Sequence, residues 1–454
     1  MNIVILAAGL GKRMHSKLPK VLQKVAGKPM LAHVLETARR IPGDNRIVVV
    51  LGHGMQQVKQ ALDLSSETCA VQDRQLGTGH ALKCALAHLN PQEPTLVLYG
   101  DVPFISGETL ERFFSQTQDK ALGILTVRLA DPTGYGRIVR QDGAVARIVE
   151  ERDATPQQKA IGEVNTGIML LPAGRVGPWL EALPCANAQG EYYLTDVVGL
   201  AVSEGCAICT TQVADALEVA GANSKEQLAA LERGYQRMKA RALMASGTTL
   251  VDPERIDIRG TLSCESDVEI DVGCVFEGDV RLAQDVRVGP YVYLKDAEIG
   301  PGTEILPFSH IEGARVGASC RIGPFARIRP GTELEGQNHI GDFVEIKKSR
   351  IGLQSKVNHL SYIGDTDMGR KVNIGAGTIT CNYDGLNKFR TTIGSEAFIG
   401  SGTELVAPVA VGDGATVGAG TTLTRDAPAG KLTVGRARQT TVEGWVRPEK
   451  RQKG

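Results

Sequence analysis

Two sets of residues in this sequence have the types and spacing to carry out chemistry. The first begins at Leu6-Ala-Ala-Gly-Leu-Gly-Lys-Arg-Met-His-Ser-Lys-Leu-Pro-Lys20, directly after the apolar run Ile3-Val-Ile5. A turn carrying Gly9 and Gly11 can aim backbone N–H groups at an anion, and Arg13 and Lys20 can neutralise a polyphosphate. A dinucleotide fingerprint needs a third glycine where Met14 stands, and the Gly-Lys-Ser/Thr of a Walker loop is missing, so neither common phosphate loop is present. The loop reads as a triphosphate site. The plainer reading is a basic turn after a first strand. Three further clusters weigh against that plainer reading. Gln72-Asp-Arg-Gln-Leu-Gly77-Thr78-Gly79 ends in a glycine turn, and an amide both donates and accepts, as the edge of uracil requires. Leu98-Tyr-Gly-Asp101 puts a carboxylate at the end of a strand-like run, a natural position for a Mg²⁺ ligand. Asp131-Pro-Thr-Gly-Tyr-Gly136-Arg and Val164-Asn165-Thr-Gly add turn glycines and amides suited to sugar hydroxyls.

The second set lies in the C-terminal half: Arg327-Ile-Arg329, Glu345-Ile-Lys347-Lys348, Asn358-His359-Leu-Ser-Tyr362 and Asn373-Ile-Gly-Ala376. Gathered on one face, these residues would offer a proton acceptor, cations for an anionic substrate and polar groups to orient it. An unperturbed histidine, with a pKa of about 6.5, suits the base. A lone surface histidine is more often inert. Arg329, Lys347 and Tyr362 nearby favour the functional reading of His359.

These residues need elements to hold them. Across 1–220, Ile3–Leu6, Arg46–Leu51, Thr95–Tyr99 and Leu122–Val127 read as strands, with amphipathic stretches such as Pro29–Arg40 and Gly79–Leu89 between them. That alternation predicts an α/β layer fold with a mainly parallel sheet and ligands beyond the strands' carboxyl ends. Ser224 to Ser246, with Leu228, Leu231, Tyr235, Met238 and Ala242 at helical spacing, reads as one long helix linking two halves. The expected domains are 1–226, a linker helix at 227–247, and 248–454.

From 250 to 430 an aliphatic residue recurs every sixth position. Leu262, Val268, Cys274, Val280, Val286 and Val292 begin the series, and Val316, Ile322, Ile328, Leu334, Ile340 and Ile346 keep the same step later. Period six fits short strands broken by corners, three sides to an 18-residue coil, about nine coils in all. The expected fold is a left-handed parallel β-helix of hexapeptide repeats, with corner glycines supplying backbone angles other residues resist. A β-sandwich would not hold that register. The ladder breaks between 380 and 392, which should bulge out as a loop.

Bulk composition excludes several classes. Lys+Arg and Asp+Glu number 51 each, giving no overall attraction to nucleic acid or acidic membrane. No apolar run approaches the roughly 20 residues of a membrane span, and the N-terminus lacks the charged segment of a signal peptide. Nine scattered cysteines suggest a reducing cytoplasm, and Cys206-Ala-Ile-Cys209 reads as buried thiols rather than a metal or redox site.

Residues 6–20 resemble the signature of sugar-1-phosphate nucleotidyltransferases. The whole chain resembles the bacterial bifunctional N-acetylglucosamine-1-phosphate uridyltransferases/glucosamine-1-phosphate N-acetyltransferases. The resemblance implies a Rossmann-like N-terminal domain in which Leu6, Ala7, Ala8, Gly9 and Lys20 hold the nucleotide. Gln72, Gly77 and Thr78 would hold uracil. Tyr99, Gly100, Gly136, Glu150 and Asn165 would line the sugar side, Asp101 and Asn223 would hold Mg²⁺, and Arg13 and Lys20 would stabilise charge. In the second domain it implies His359 as base, with Arg329, Lys347, Tyr362 and Asn373 on the sugar phosphate. Ala376, Asn382, Tyr383, Ser401, Ala419 and Arg436 would hold acetyl-CoA. It further implies a homotrimer with acetyl-transfer sites between chains. One departure is Lys12, where the family carries threonine. The basic tail from Arg436, with Arg438, Arg447, Lys450, Arg451 and Lys453 against Glu443 and Glu449, could meet the anionic end of coenzyme A.

Three alternatives remain at this point. A single-activity sugar-1-phosphate nucleotidyltransferase with an oligomerising β-helix is weakened by the 359–383 cluster. A non-catalytic assembly subunit is weakened by the presence of Asp101 and Arg13. A metal-dependent β-helix hydratase would need His310, His339 and His359 as ligands, and nothing else supports it.

Overall fold

The computed structural model describes residues 1–118 and 120–448. Glu449, Lys450, Arg451 and Lys453 of the basic tail lie outside the described residues. The chain divides into two compact units, Met1–Tyr235 and Gln236–Gly454.

The first unit is built on strands β1 (Asn2–Ala7), β2 (Arg46–Leu51), β3 (Thr68–Val71), β4 (Thr95–Tyr99), β5 (Leu122–Arg128), β6 (Arg137–Gln141), β7 (Ala144–Val149), β8 (Glu163–Leu171) and β9 (Ile208–Gln212). The sheet runs β9-β5-β8-β4-β1-β2-β3, with the β6–β7 hairpin paired to β8. Only β8 runs against its neighbours in that path. The central strands are continuous apolar runs because both faces are covered: Ile3 to Leu6, Val48 to Leu51 and Leu96 to Leu98 are all buried. Helix α1 (Met30–Arg40) buries Met30, Leu31, Val34, Leu35 and Ala38, one face of a 3.6-residue period. Helix α2 (Thr78–Ala85) follows the glycine turn after β3.

The second unit is a parallel β-helix. Its interior is the six-residue ladder: every rung from Val268 to Leu423 is buried, while Leu262 packs against the core from its edge. One side of the prism is a stack of eleven short parallel strands. That is more coils than the aliphatic count suggested. The first coil carries Leu250 and Ile256, and buried Thr380 occupies a rung slot with a polar side chain. Thr380 Oγ1 accepts from Gly364 N at 2.7 Å and lies 3.3 Å from the Tyr362 carbonyl, so its hydroxyl is satisfied inside the prism. Strand Ile379–Cys381 therefore continues the ladder, and the protruding loop begins at Asn382 and ends before strand Thr391–Ile393.

The glycines that follow the rungs act by close approach rather than by unusual φ, whereas others, such as Gly302, Gly377 and Gly402, do take the left-handed angle. Of those that follow the rungs, only Gly323 has a positive φ. A Cβ on Gly300 would come 2.6 Å from the Gly317 carbonyl carbon, and one on Gly375 would come 2.5 Å from Ser401 N. Any side chain there would push adjacent coils apart. Along one corner, five successive left-handed positions are taken by bulky residues, Tyr291, Phe308, Phe325, Phe343 and Leu360, with φ between 49° and 61°, before glycine takes over at Gly377, Gly402 and Gly420. Bulky residues resist this conformation. Here the rings stack coil over coil, 5.0–5.4 Å apart for Tyr291–Phe308, Phe308–Phe325 and Phe325–Phe343. The outer faces are also ordered by register. Arg281, Glu298, Arg315, Glu333, Arg350 and Asp367 face one another in successive coils, so charge alternates along the column.

Helix α3 (Lys225–Ala245) belongs to both units in turn. Leu231 packs with Met14, Val25, Met30 and Ala222. Further along, Gln236 exchanges two hydrogen bonds with the backbone of Ile258, and Ala240 joins the β-helix core.

Candidate active sites

Strands β1 and β4 are adjacent and parallel, with Leu6 opposite Tyr99. Their carboxyl-terminal loops therefore emerge side by side. Gly100 N donates to the Leu6 carbonyl at 3.0 Å, and a Cβ on Gly100 would come 3.0 Å from that of Ala7. Between these loops lies a cavity of about 520 Å³. It is lined by Leu6 and Ala7 at the end of β1, Ala8 and Gly9 from the loop after it, Gln72, Gly77 and Thr78 from the turn after β3, Tyr99 at the end of β4, Asp101 just beyond it, and Lys20 and Asn223. The loop after β1 folds back at Gly11, φ +58°, where a side chain would meet Lys20 Cβ at 2.7 Å. Gly77, φ +107°, lies so close to Tyr192 that a Cβ would come 2.5 Å from its carbonyl oxygen.

Lys20 Nζ donates to Asp101 Oδ2 and, at 2.6 Å, to Asn223 Oδ1. Two oxygen donors from residues 122 positions apart thus converge on one cationic centre. Hard oxygens in that arrangement fit a small divalent cation that keeps waters and substrate phosphates in its remaining positions. Gln72 Nε2 donates to the Gly77 carbonyl at 3.0 Å and meets His80 Nδ1 at 3.1 Å, which fixes the amide plane at the cavity wall. Tyr99 is half-buried at the cavity wall, and desolvation there holds its phenol protonated, well above the ordinary tyrosine range.

Gly136, Glu150 and Asn165 form a second group. Asn165 N donates to the Gly136 carbonyl at 2.8 Å, and Glu150 Oε1 accepts from Thr195 Oγ1 at 2.8 Å. Burial raises the Glu150 carboxyl above its ordinary value, against the hydrogen bond from Thr195. Arg13 does not line the cavity. It is exposed in the turn Lys12–Met14, while Lys12 reaches the cavity wall.

In the β-helix the candidates fall on two edges of one face. His359 ends strand Lys356–His359 at a corner, and Gly377 N, one coil on, donates to its carbonyl. Ala376, Ser401, Ala419 and Arg436 continue that edge: Gly402 N donates to the Ala376 carbonyl, Gly420 N to that of Ser401, and Arg436 Nη1 to that of Ala419. Asn373 lies on the strand register of Lys356. On the opposite edge, Lys347 Nζ is 3.5 Å from Asp365 Oδ2, to which Asn382 Nδ2 also donates. Arg329 Nη1 pairs with Glu345 Oε1 at 2.8 Å, and Glu345 stands opposite Tyr362. Tyr383 is exposed in the protruding loop, bridged to Lys388. His359 and Asp365 are separated by strand Tyr362–Gly364, about 10 Å of extended chain at roughly 3.3 Å per residue.

Residues 3–187 match the family of MobA-like NTP transferase domains, and residues 390–425 match the hexapeptide repeat of succinyl-transferase. Over all 454 residues the chain is 60% identical to the bifunctional protein GlmU of Ralstonia nicotianae, covering 100% of both chains. It is 56% identical to that of Janthinobacterium sp. and 57% to that of Azoarcus sp., each over 453 residues and 100% of both chains. The chain belongs to the GlmU family.

As a GlmU-family member it is a bifunctional enzyme, with a nucleotidyltransferase unit followed by a hexapeptide-repeat transferase unit. Within this GlmU-type nucleotide cavity, Leu10, Gln75 and Glu191 also line the wall and were not singled out from sequence. The Gln72–Gly79 stretch contained Gln75, but Glu191 lies 119 positions from Gln72 and carries no motif of its own. Lys388 was likewise missed. Its pKa is held below the ordinary lysine range, because as the neutral amine it can accept a hydrogen bond from Lys347 and because that neighbour's charge opposes a second one. A lysine in a loop that interrupts the ladder was the available signal. Cys206 and Cys209 are free and half-buried rather than fully buried. No helix among the described residues is long and apolar enough to cross a membrane.

Proposed function

We propose that this enzyme makes UDP-N-acetylglucosamine by two successive group transfers. The β-helix unit acetylates glucosamine-1-phosphate from acetyl-CoA. The sheet unit then transfers uridylyl from UTP to N-acetylglucosamine-1-phosphate. The observation that carries the reading is the convergence of Lys20, Asp101 and Asn223 in a cavity walled by the glycine loop.

In the sheet unit a phosphate oxygen of the sugar attacks the α-phosphorus of UTP, and pyrophosphate leaves. Alignment and charge neutralisation are all the protein must supply. The backbone of Ala8 and Gly9 faces the triphosphate, Lys20 counters its charge, and Gln72, Gly77 and Thr78 hold the base. Arg13 can join from its turn on the loop when the polyphosphate is bound. Gly136, Glu150 and Asn165 face the sugar hydroxyls, with Tyr99 and Gly100 beneath. Mg²⁺, held by Asp101 and Asn223, would add counter-charge to the phosphates.

In the β-helix unit His359 takes the ammonium proton of glucosamine-1-phosphate. The freed amine attacks the thioester carbonyl, the C–S bond breaks, the proton held by His359 ends on the leaving thiolate, and the second proton lost from the nitrogen passes to solvent. Arg329, Lys347, Tyr362 and Asn373 hold the sugar phosphate. Ala376, Asn382, Tyr383, Ser401, Ala419 and Arg436 hold acetyl-CoA. His359, Ala376, Ser401, Ala419 and Arg436 lie along one edge of a face and Lys347 and Asn382 along the other, which supports a homotrimer in which one chain's His359 edge meets a neighbour's Lys347 edge. The exposed ring column, with Phe308 half exposed and Phe343 57% exposed, offers apolar surface for such packing. Nine free cysteines and balanced charge support a cytoplasmic location without nucleic-acid or membrane partners. The bounds 1–226, 227–247 and 248–454 serve as the working division of labour.

The test is a product assay with glucosamine-1-phosphate, acetyl-CoA, UTP and Mg²⁺. UDP-N-acetylglucosamine should form only when all four are present, and omitting UTP should leave the acetylated sugar phosphate. Formation of a nucleotide sugar without acetyl-CoA consumption would overturn the two-step reading.

A further inference from the structure

The base His359 has a partner on the neighbouring coil. We propose that Asp342 is a positioning residue for acetyl transfer: its carboxylate fixes His359 in the tautomer protonated at Nδ1, leaving Nε2 to take the substrate's proton. This rests on the reading of His359 as the base.

Asp342 and His359 stand opposite each other in paired strands, His339–Asp342 and Lys356–His359. Each is the last residue before a corner, and the residues that follow, Phe343 and Leu360, both adopt the left-handed corner conformation, at φ 55° and 49°. The two side chains therefore leave the same edge one coil apart, and Nδ1 of His359 lies 3.0 Å from Asp342 Oδ1. An ionised carboxylate can only accept, so in the neutral imidazole Nδ1 carries the hydrogen and Nε2 the lone pair. The backbone is pinned as well. Leu360 N donates to the Asp342 carbonyl at 3.1 Å, and Ser361 Oγ donates to that of His359 at 2.8 Å. Both side chains are well exposed, 63% for His359 and 44% for Asp342, where an ion pair adds little to stability. A purely structural purpose is therefore a weak account of the contact.

During transfer, the ammonium proton moves to Nε2. The amine then forms its bond to the carbonyl carbon, the C–S bond breaks, Nε2 returns its proton to the departing thiolate, and the second proton lost from the nitrogen passes to solvent as the neutral amide forms. Asp342 keeps its charge and takes no proton, and it holds the ring through both transfers.

The experiment compares Asp342→Ala, Asp342→Asn, Asp342→Glu and His359→Ala in the full-length protein. Asp342→Ala should lower kcat for acetyl transfer about tenfold to a hundredfold, with KM for both substrates within about twofold of wild type. Asp342→Glu should recover part of the loss. In protein labelled with ¹⁵N-histidine, neutral His359 should carry its hydrogen on Nδ1 in wild type and distribute it over both nitrogens in Asp342→Ala. The nucleotidyl-transfer rate reports that each variant is folded, and Asp342→Asn provides an isosteric variant should the alanine variant misfold. An unchanged kcat, a loss expressed in KM alone, or an Nε2–H tautomer in wild type would each overturn the proposal. If His359→Ala abolishes acetyl transfer and the Asp342 variants do not reduce it, only the positioning role fails. If His359→Ala keeps acetyl transfer, the base assignment fails with it.

Discussion

The two units hold their candidate residues in opposite ways. In the sheet unit, residues as far apart as Leu6, Gln72, Asp101 and Asn223 line one cavity, because parallel strands deliver their loops to one end of the sheet. In the β-helix, residues close in sequence are held apart. His359 and Asp365 are six positions distant yet lie on different edges, because a straight strand runs between two corners. A wound sheet gathers distant segments into a pocket inside one chain. A solenoid repeats one register, so its side chains form columns, and a pocket needs two columns brought together from outside. The first unit should therefore tolerate dilution, and the second should depend on its neighbours.

The largest expected effect that sharpens this contrast is at the convergent cation. Lys20→Ala should slow nucleotidyl transfer about a hundredfold to a thousandfold while leaving acetyl transfer intact, measured on separately supplied substrates. Next comes the β-helix core. Ile346 is fully buried, and Ile346→Ala should destabilise its unit by about 2–5 kcal/mol. Calorimetry should show acetyl transfer lost at lower temperature while the nucleotidyl-transfer rate at 25 °C is kept. A smaller effect is expected at the base pocket. Gly77→Ala must displace the Tyr192 carbonyl, and it should weaken uridine-nucleotide binding about tenfold, roughly 1.4 kcal/mol, as read by titration calorimetry.

The smallest effect concerns Glu150. Burial raises its carboxyl in the folded protein, so the folded state holds this proton more tightly than the unfolded state. The associated stability is fully present below the unfolded pKa and is lost as pH rises through the folded one. Glu150→Gln removes that loss while keeping an acceptor for Thr195. Its Tm should match wild type near pH 4 and exceed it by about 2 °C at pH 7.

Much of this was legible in the sequence, for reasons that differ between the units. The six-residue ladder named the β-helix because each rung must enter the prism, and buried Val268 to Leu423 carry it. The role of the glycines was not legible. Close approach between coils leaves the same residue in the sequence as a left-handed turn, and Gly375 shows which applies only once Ser401 is seen against it. The stacked Phe308, Phe325 and Phe343 in left-handed corners contradict local preference and depend on neighbours in adjacent coils. In the sheet unit, the loop at 6–20 and Asp101 were readable because strand ends carry ligands. Glu191 was not, since its placement depends on tertiary neighbours rather than on a local pattern.

The most direct test assays His359→Ala and Asp101→Ala on both half-reactions, each with its own substrates supplied. The account predicts that His359→Ala loses acetyl transfer, about a hundredfold or more, and keeps uridylyl transfer, with Asp101→Ala showing the reverse. Folded variants that lose both activities to a similar extent would contradict it.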